Sequence, residues 1–201
     1  MPLPRPNYRP ELILASGSPY RQQLLQRTQY PFQCISPDID ESPLSGEAAG
    51  ELSLRLARSK AAKVALLHPA AVVIGSDQVA ALDGELLGKP GNHATATRQL
   101  SACSGKSVVF HTAVCVRREE ANFEETHIDI TTVNFRKLSA AEIEAYLTAD
   151  TPWDCAGSFK SEGLGSALFF SIENHDPSAI IGLPMIWLTN SLRNAGVPIL
   201  G

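Results

Sequence analysis

Two rhythms of apolar residues alternate along this chain. Leu12-Ile13-Leu14-Ala15 and the run 71–75 are short and unbroken, as strands buried on both faces are. Over 47–67 the rhythm changes. At roughly 100° per residue, Leu54, Leu56, Ala57, Ala61, Val64 and Leu67 share one wide face, so this stretch reads as a helix packed on a core. It stops before His68-Pro69, because the residue ahead of a proline is pushed out of the helical region. The same reading gives helices at 20–27, 94–102 and 184–194, and a strand at 32–35. Two β-rich stretches, 107–116 and 126–135, flank the acidic segment 119–125 and predict a long hairpin. Ser139 and Glu142 form a capping box that opens a helix ending near Leu147. Strands alternating with helices predict an α/β protein, and the hairpin makes its sheet mixed.

Composition narrows the class. The chain has 201 residues, 44% of them hydrophobic, enough for one domain over 11–201 behind a Pro-rich lead at 1–10. Net charge is −4 and no basic stripe stands out, which argues against nucleic acid as a partner. No run reaches transmembrane length and the start lacks the apolar core of a signal peptide, so the expectation is a cytoplasmic protein without a membrane partner. Cys34, Cys103, Cys115 and Cys155 lack metal-ligand spacing, and their count alone leaves disulfides open.

The segment Ser16-Gly17-Ser18-Pro19-Tyr20-Arg21 lies between a strand and a helix. Ser18 suits an N-cap and Pro19 the first helical position. Free backbone amides, two hydroxyls and a guanidinium at a helix start suit an anion such as phosphate, although an ordinary turn would read alike. Asp77 stands at the C-terminal end of the 71–75 run, where open α/β sheets bind ligands. A helix cap is the plainer role for an aspartate, but the strand-like Val79-Ala80-Ala81 follows.

Lys60 falls inside the apolar arc of its helix, and so either snorkels to solvent or projects to an anion or carboxylate in a cleft. Asp38, Asp40 and Glu41 offer hard oxygen ligands suited to Mg²⁺ or Mn²⁺, as would any solvated acidic loop. Lys89 sits in the constrained turn Gly88-Lys89-Pro90, and 158–165 combines Lys160 and Glu162 with two glycines, as a ligand-contacting loop does. Ser104-Gly105-Lys106-Ser107 looks like the end of a P-loop, but Leu100 occupies the required glycine position and a strand follows. The five histidines have no metal-ligand spacing.

Taken together, Leu14-Ala15-Ser16-Gly17-Ser18-Pro19, Asp40-Glu41, Arg55-Leu56-Ala57 with Lys60-Ala61, Gly75-Ser76-Asp77, Gly88-Lys89-Pro90 and Ala156-Gly157-Ser158-Phe159-Lys160-Ser161-Glu162-Gly163 resemble the Maf family of nucleotide pyrophosphatases. The resemblance runs from Leu12 to about Arg193. Gln78 and Glu162 resemble the subgroup acting on 7-methyl-GTP, since the dTTP/UTP subgroup typically carries Thr and Gln there. It implies a two-lobed fold with a mixed sheet and a cleft, often dimeric, that hydrolyses a nucleoside triphosphate to monophosphate and diphosphate with a divalent metal. Asp77 would accept the proton from water. Ser16, Arg21, Lys60 and Lys89 would hold the phosphates, with Lys160 in support. Glu41 would help bind the metal, with Asp77, or orient water, and Tyr20, Gln78 and Glu162 would read the base. The rivals are the same reaction on dTTP, UTP or another modified nucleotide, and a nucleotide-binding cell-division regulator. Gln22 stands where most members have a second arginine, and Gly17 replaces the usual Thr or Asn.

Overall fold

The computed structural model describes residues 9–200, so the Pro-rich lead up to residue 8 lies outside the described residues. Seven strands form one mixed sheet: β1 (Leu12–Ala15), β2 (Gln33–Cys34), β3 (Val72–Leu82), β4 (Glu85–Leu87), β5 (Ser107–Arg118), β6 (Phe123–Phe135) and β7 (Phe169–Glu173). Their order is β2-β1-β3-β5-β6-β7, with β4 paired to β3. β1 runs parallel to β2 and β3, whereas every other pairing is antiparallel. Five helices flank the sheet: α1 (Pro19–Gln26), α2 (Ala49–Ala65), α3 (His93–Cys103), α4 (Ala140–Asp150) and α5 (Met185–Asn194). The α/β reading and the mixed sheet are both borne out.

The 119–125 connection is tighter than its acidity suggests. A 3-10 turn over Glu119–Ala121 ends on Asn122 in the left-handed region, and β6 begins at once. Strand β4 had no apolar run to announce it; the Asp83-Gly84 turn folds it back on β3.

Alternation along β3 sorts its side chains to two faces. One face of the sheet is covered by α2, whose Ala57, Ala61 and Val64 pack on Ile13, Val73 and Ala113. The opposite face carries two separate cores. Leu24 and Leu25 of α1 and Leu188 and Leu192 of α5 lie over Leu14 and Ile74 at one end. Leu100 of α3 and Leu147 of α4 pack with Phe110, Phe135 and Phe159 at the other. These two cores make the two lobes, and the cleft opens between them.

Candidate active site

The cleft begins as a gap in a strand edge. β5 pairs one side of β3 throughout, from Val73 to Leu82. On the other side, β1 pairs only Val72–Gly75 and β4 only 80–82, which leaves 76–79 without a strand partner. A cleft of about 690 Å³ opens there, the size of a nucleotide-scale pocket. Asp77 is therefore not at the end of its strand, as its sequence position suggested. It lies in the middle of β3, just past the point where the parallel partner β1 stops. The strand does not end at Asp77 because β5 continues to satisfy its backbone on the far side.

Asp77 faces α2, and Lys60 meets it there. Lys60 Nζ lies 2.7 Å from Asp77 Oδ1 and 2.8 Å from Glu41 Oε1. Lys60 is 6% exposed and Asp77 7%, so the lysine does not snorkel; it is a buried cation between two carboxylates. The glycine at 75 permits this approach. A Cβ there would stand 2.2 Å from the Ala57 carbonyl oxygen and 2.6 Å from the Ala61 nitrogen, so only glycine lets α2 lie this close to β3. Arg55 holds the loop that delivers Glu41: its guanidinium pairs with Glu47 at 2.6 Å and donates to the Ser42 carbonyl at 3.0 Å. The hydrogen bonds from Arg55 and from the Leu44 amide hold Glu47 far below the usual carboxylate range, at about 2. Of the loop's carboxylates Asp38, Asp40 and Glu41, only Glu41 lines the cleft; Asp38 and Asp40 are exposed, and Asp40 accepts from the Ser42 amide at 2.9 Å.

The 16–21 turn forms as its residue types predict. Ser18 caps α1, with Oγ 3.5 Å from the Arg21 amide, and Pro19 takes the first helical position. Arg21 Nε donates to the Gly182 carbonyl at 3.0 Å and Nη1 reaches Ser16 Oγ at 3.4 Å. Burial lowers the Arg21 pKa, while the charges of Asp77 and Glu41 push it back up. Gln22 points away from the cleft and lines a shallow depression beside Tyr30 and Cys34. At Gly17 a Cβ would make only ordinary contact with Ser36 Oγ, at 3.4 Å, so the backbone does not demand glycine there. Lys89 lines the cleft and is exposed.

Tyr20, Gln78 and Glu162 also line the cleft. The Gln78 amide nitrogen is already committed: Thr112 Oγ1 stands at 2.9 Å, and the Ala179 and Ile180 carbonyls at 3.0 Å each. That leaves its oxygen to face a ligand. The Lys160 ammonium donates to the Asp150 carbonyl at 2.8 Å, so it braces the loop while lining the cleft. Burial raises the Tyr20 pKa, with the neighbouring Cys155, Asp154 and Glu162 adding to it in that order.

A family model described as "Maf-like protein" matches residues 11–195. The chain belongs to the Maf family. It is 56% identical to a 7-methyl-GTP pyrophosphatase of Albidiferax ferrireducens, covering 95% of this chain and 96% of that relative. It is 52% identical to one of Cupriavidus metallidurans, covering 96% and 97%, and 55% identical to one of Xanthomonas oryzae pv. oryzae, covering 93% and 97%.

Reading the sequence of this Maf protein missed the segment 176–182. Its carbonyls accept from Arg21, Ser76, Gln78 and Thr112, linking both cleft ends to one short turn. The available signal was Asp176-Pro177-Ser178 ahead of Pro184, an aspartate–serine turn before a helix. Asp176 accepts from the Ser178 and Ile186 amides and fixes that turn. The P-loop-like Lys106 pairs instead with Asp83, outside the cleft. Among the described residues no cluster of three His, Cys, Asp or Glu could hold a metal, and all four cysteines are free. No helix of the described residues is long and apolar enough to cross a membrane.

Proposed function

We propose that this Maf protein hydrolyses 7-methyl-GTP to 7-methyl-GMP and diphosphate. The observation that carries the reading is the Asp77–Lys60–Glu41 cluster beside the Ser16–Arg21 turn, at the one open stretch of the β3 edge. Supporting it are the relatives named for that activity. Phosphoanhydride hydrolysis needs charge neutralisation, an oriented water and one base. Arg21, Ser16, Lys60 and Lys89 supply donors for the triphosphate oxygens, and Asp77 takes the proton of the attacking water. Lys60 holds Asp77 Oδ1, which leaves Oδ2 to take that proton.

Glu41 and Asp77 each have one oxygen outside the lysine contact, and two carboxylate oxygens with phosphate oxygens suit Mg²⁺ or Mn²⁺. These two residues would hold the ion, which when bound neutralises charge developing on the phosphate oxygens. At the other end, the face of Tyr20 and the Glu162 carboxylate suit a base that carries positive charge, as a 7-methylated guanine does. A cytoplasmic nucleotide pool and a homodimer accompany this reading.

Turnover of 7-methyl-GTP, GTP, dTTP and UTP, with diphosphate detection and Mg²⁺ or Mn²⁺, tests it. The expected result is preference for 7-methyl-GTP, with Asp77→Asn slowing it by at least about 100-fold, the scale of a lost general base. Preference for dTTP or UTP would overturn the substrate; full activity in Asp77→Asn would overturn the role of Asp77.

A further inference from the structure

The carboxylates that line the cleft form two pairs, and only one of them is held by a cation. Arg21 feels Asp77 and Glu41, whereas Tyr20, one residue earlier, feels Asp154 and Glu162. Two of the phosphate-holding groups, Arg21 and Lys60, stand at the first pair, with Lys60 between its two carboxylates. At the second pair among the described residues, neither carboxylate has a cation within ion-pair distance. Among the described residues Glu162 accepts only from Ser161 Oγ, at 3.2 Å, and the ammonium of Lys160 is turned to the Asp150 carbonyl.

Asp154 is not occupied by the turn it sits in. An aspartate in a 152–155 turn ordinarily binds a backbone amide within the turn. Here, among the described residues, the only hydrogen-bond partner of its carboxylate is Cys155 Sγ, 3.5 Å from Oδ1, and that sulfur lies 3.7 Å from the Tyr20 hydroxyl oxygen. Burial pushes the Cys155 thiol up to about 11, so it stays protonated and spaces the carboxylate from the ring without adding charge. Asp154, Cys155, Tyr20 and Glu162 all line the same cleft. Both carboxylates are exposed and without an ion pair among the described residues, and with the Tyr20 ring they make a corner for a cation.

We infer that Asp154 is a second specificity-determining carboxylate, which with Glu162 and Tyr20 selects nucleotides whose base is cationic and rejects those whose base is neutral. This rests on the nucleotide pyrophosphatase reading and extends it: the site reads the charge of the base rather than the bulk of its methyl group. The ligand class is a zwitterionic nucleotide, with an alkylated, positively charged purine at the Asp154 end and a polyanionic tail at the Arg21 end.

The test separates charge from shape. 7-Deaza-7-methyl-GTP keeps the methyl group and loses the positive charge, so kcat/KM for 7-methyl-GTP divided by that for this analogue measures charge reading. The ratio should be well above one for the wild-type protein. In Asp154→Asn it should fall about fivefold, the size of one partly exposed charge contact, with a further fall when Glu162→Gln is added. Asp154→Glu, which keeps the charge, should restore most of the ratio. An unchanged ratio in Asp154→Asn, or an equal loss on both nucleotides, would overturn the role of Asp154. A wild-type ratio near one, with 7-methyl-GTP still preferred over GTP, would overturn charge reading and leave the substrate standing. No preference over GTP would bring down the substrate reading itself.

Discussion

At the scale of single residues, Lys60 does two jobs whose separation can be measured. It neutralises Asp77 and Glu41, and it holds the Asp77 carboxylate at the unpaired stretch of β3. Replacing it with an apolar side chain leaves a nearly buried carboxylate without a cation, a change that typically costs about 3 kcal/mol. Lys60→Met should therefore lower unfolding free energy by roughly that amount in a urea titration and also depress kcat. A variant that keeps its stability would show that the pair is compensated elsewhere. Helical periodicity placed Lys60 on the buried arc but left its partner open. The partner lies 17 residues away on a different element, and its contact depends on how closely α2 settles on β3.

Among the elements, the 176–182 turn has the widest influence for its length. Gly182 takes φ +134°, and a Cβ there would stand 3.1 Å from Arg21 Cγ and 3.3 Å from its Nε. Gly182→Ala would thus strain the turn and displace the guanidinium together. The expected outcome is a rise in KM for the triphosphate of about tenfold or more, because small misplacements of positioning groups are costly. That rise should shrink when Arg21→Ala is already present, since both changes act through one contact. Additive effects in this double-mutant cycle would refute the coupling. Helices 20–27 and 94–102 and the hairpin strands were legible because period and capping are local. The 176–182 turn was not, as its function lies in carbonyls that every sequence has.

The molecule as a whole buries a carboxylate outside its cleft. Asp129 on β6 is 3% exposed, and among the described residues its Oδ1 has no hydrogen-bond partner. Burial raises its pKa, Asp176 raises it further, and His127, His175 and the Asp176 amide oppose the shift. A folded-state pKa above the unfolded value of about 3.9 has a definite sign. The stabilisation is fully present below the unfolded value and is lost as pH rises through the folded one. Asp129→Asn should accordingly raise Tm relative to the wild-type protein at pH 7, with the gain vanishing toward pH 3. A gain that is the same at both pH values would reject the titration of Asp129 as its source.

What the sequence determined by itself was local: buried strands, amphipathic helices, the Ser18-Pro19 start of α1, and which residue types could serve phosphate chemistry. Those follow from backbone preferences and periodicity, which act over a few residues. Tertiary structure decided that β3 runs on past Asp77, because β5 pairs its far edge while β1 stops. It decided that Lys60 is a buried ion-pair partner, because Gly75 lets α2 approach. It decided, too, that Asp154 lines the cleft with no ion pair among the described residues. Each outcome depends on what packs against a residue, and that partner lies far away in the chain.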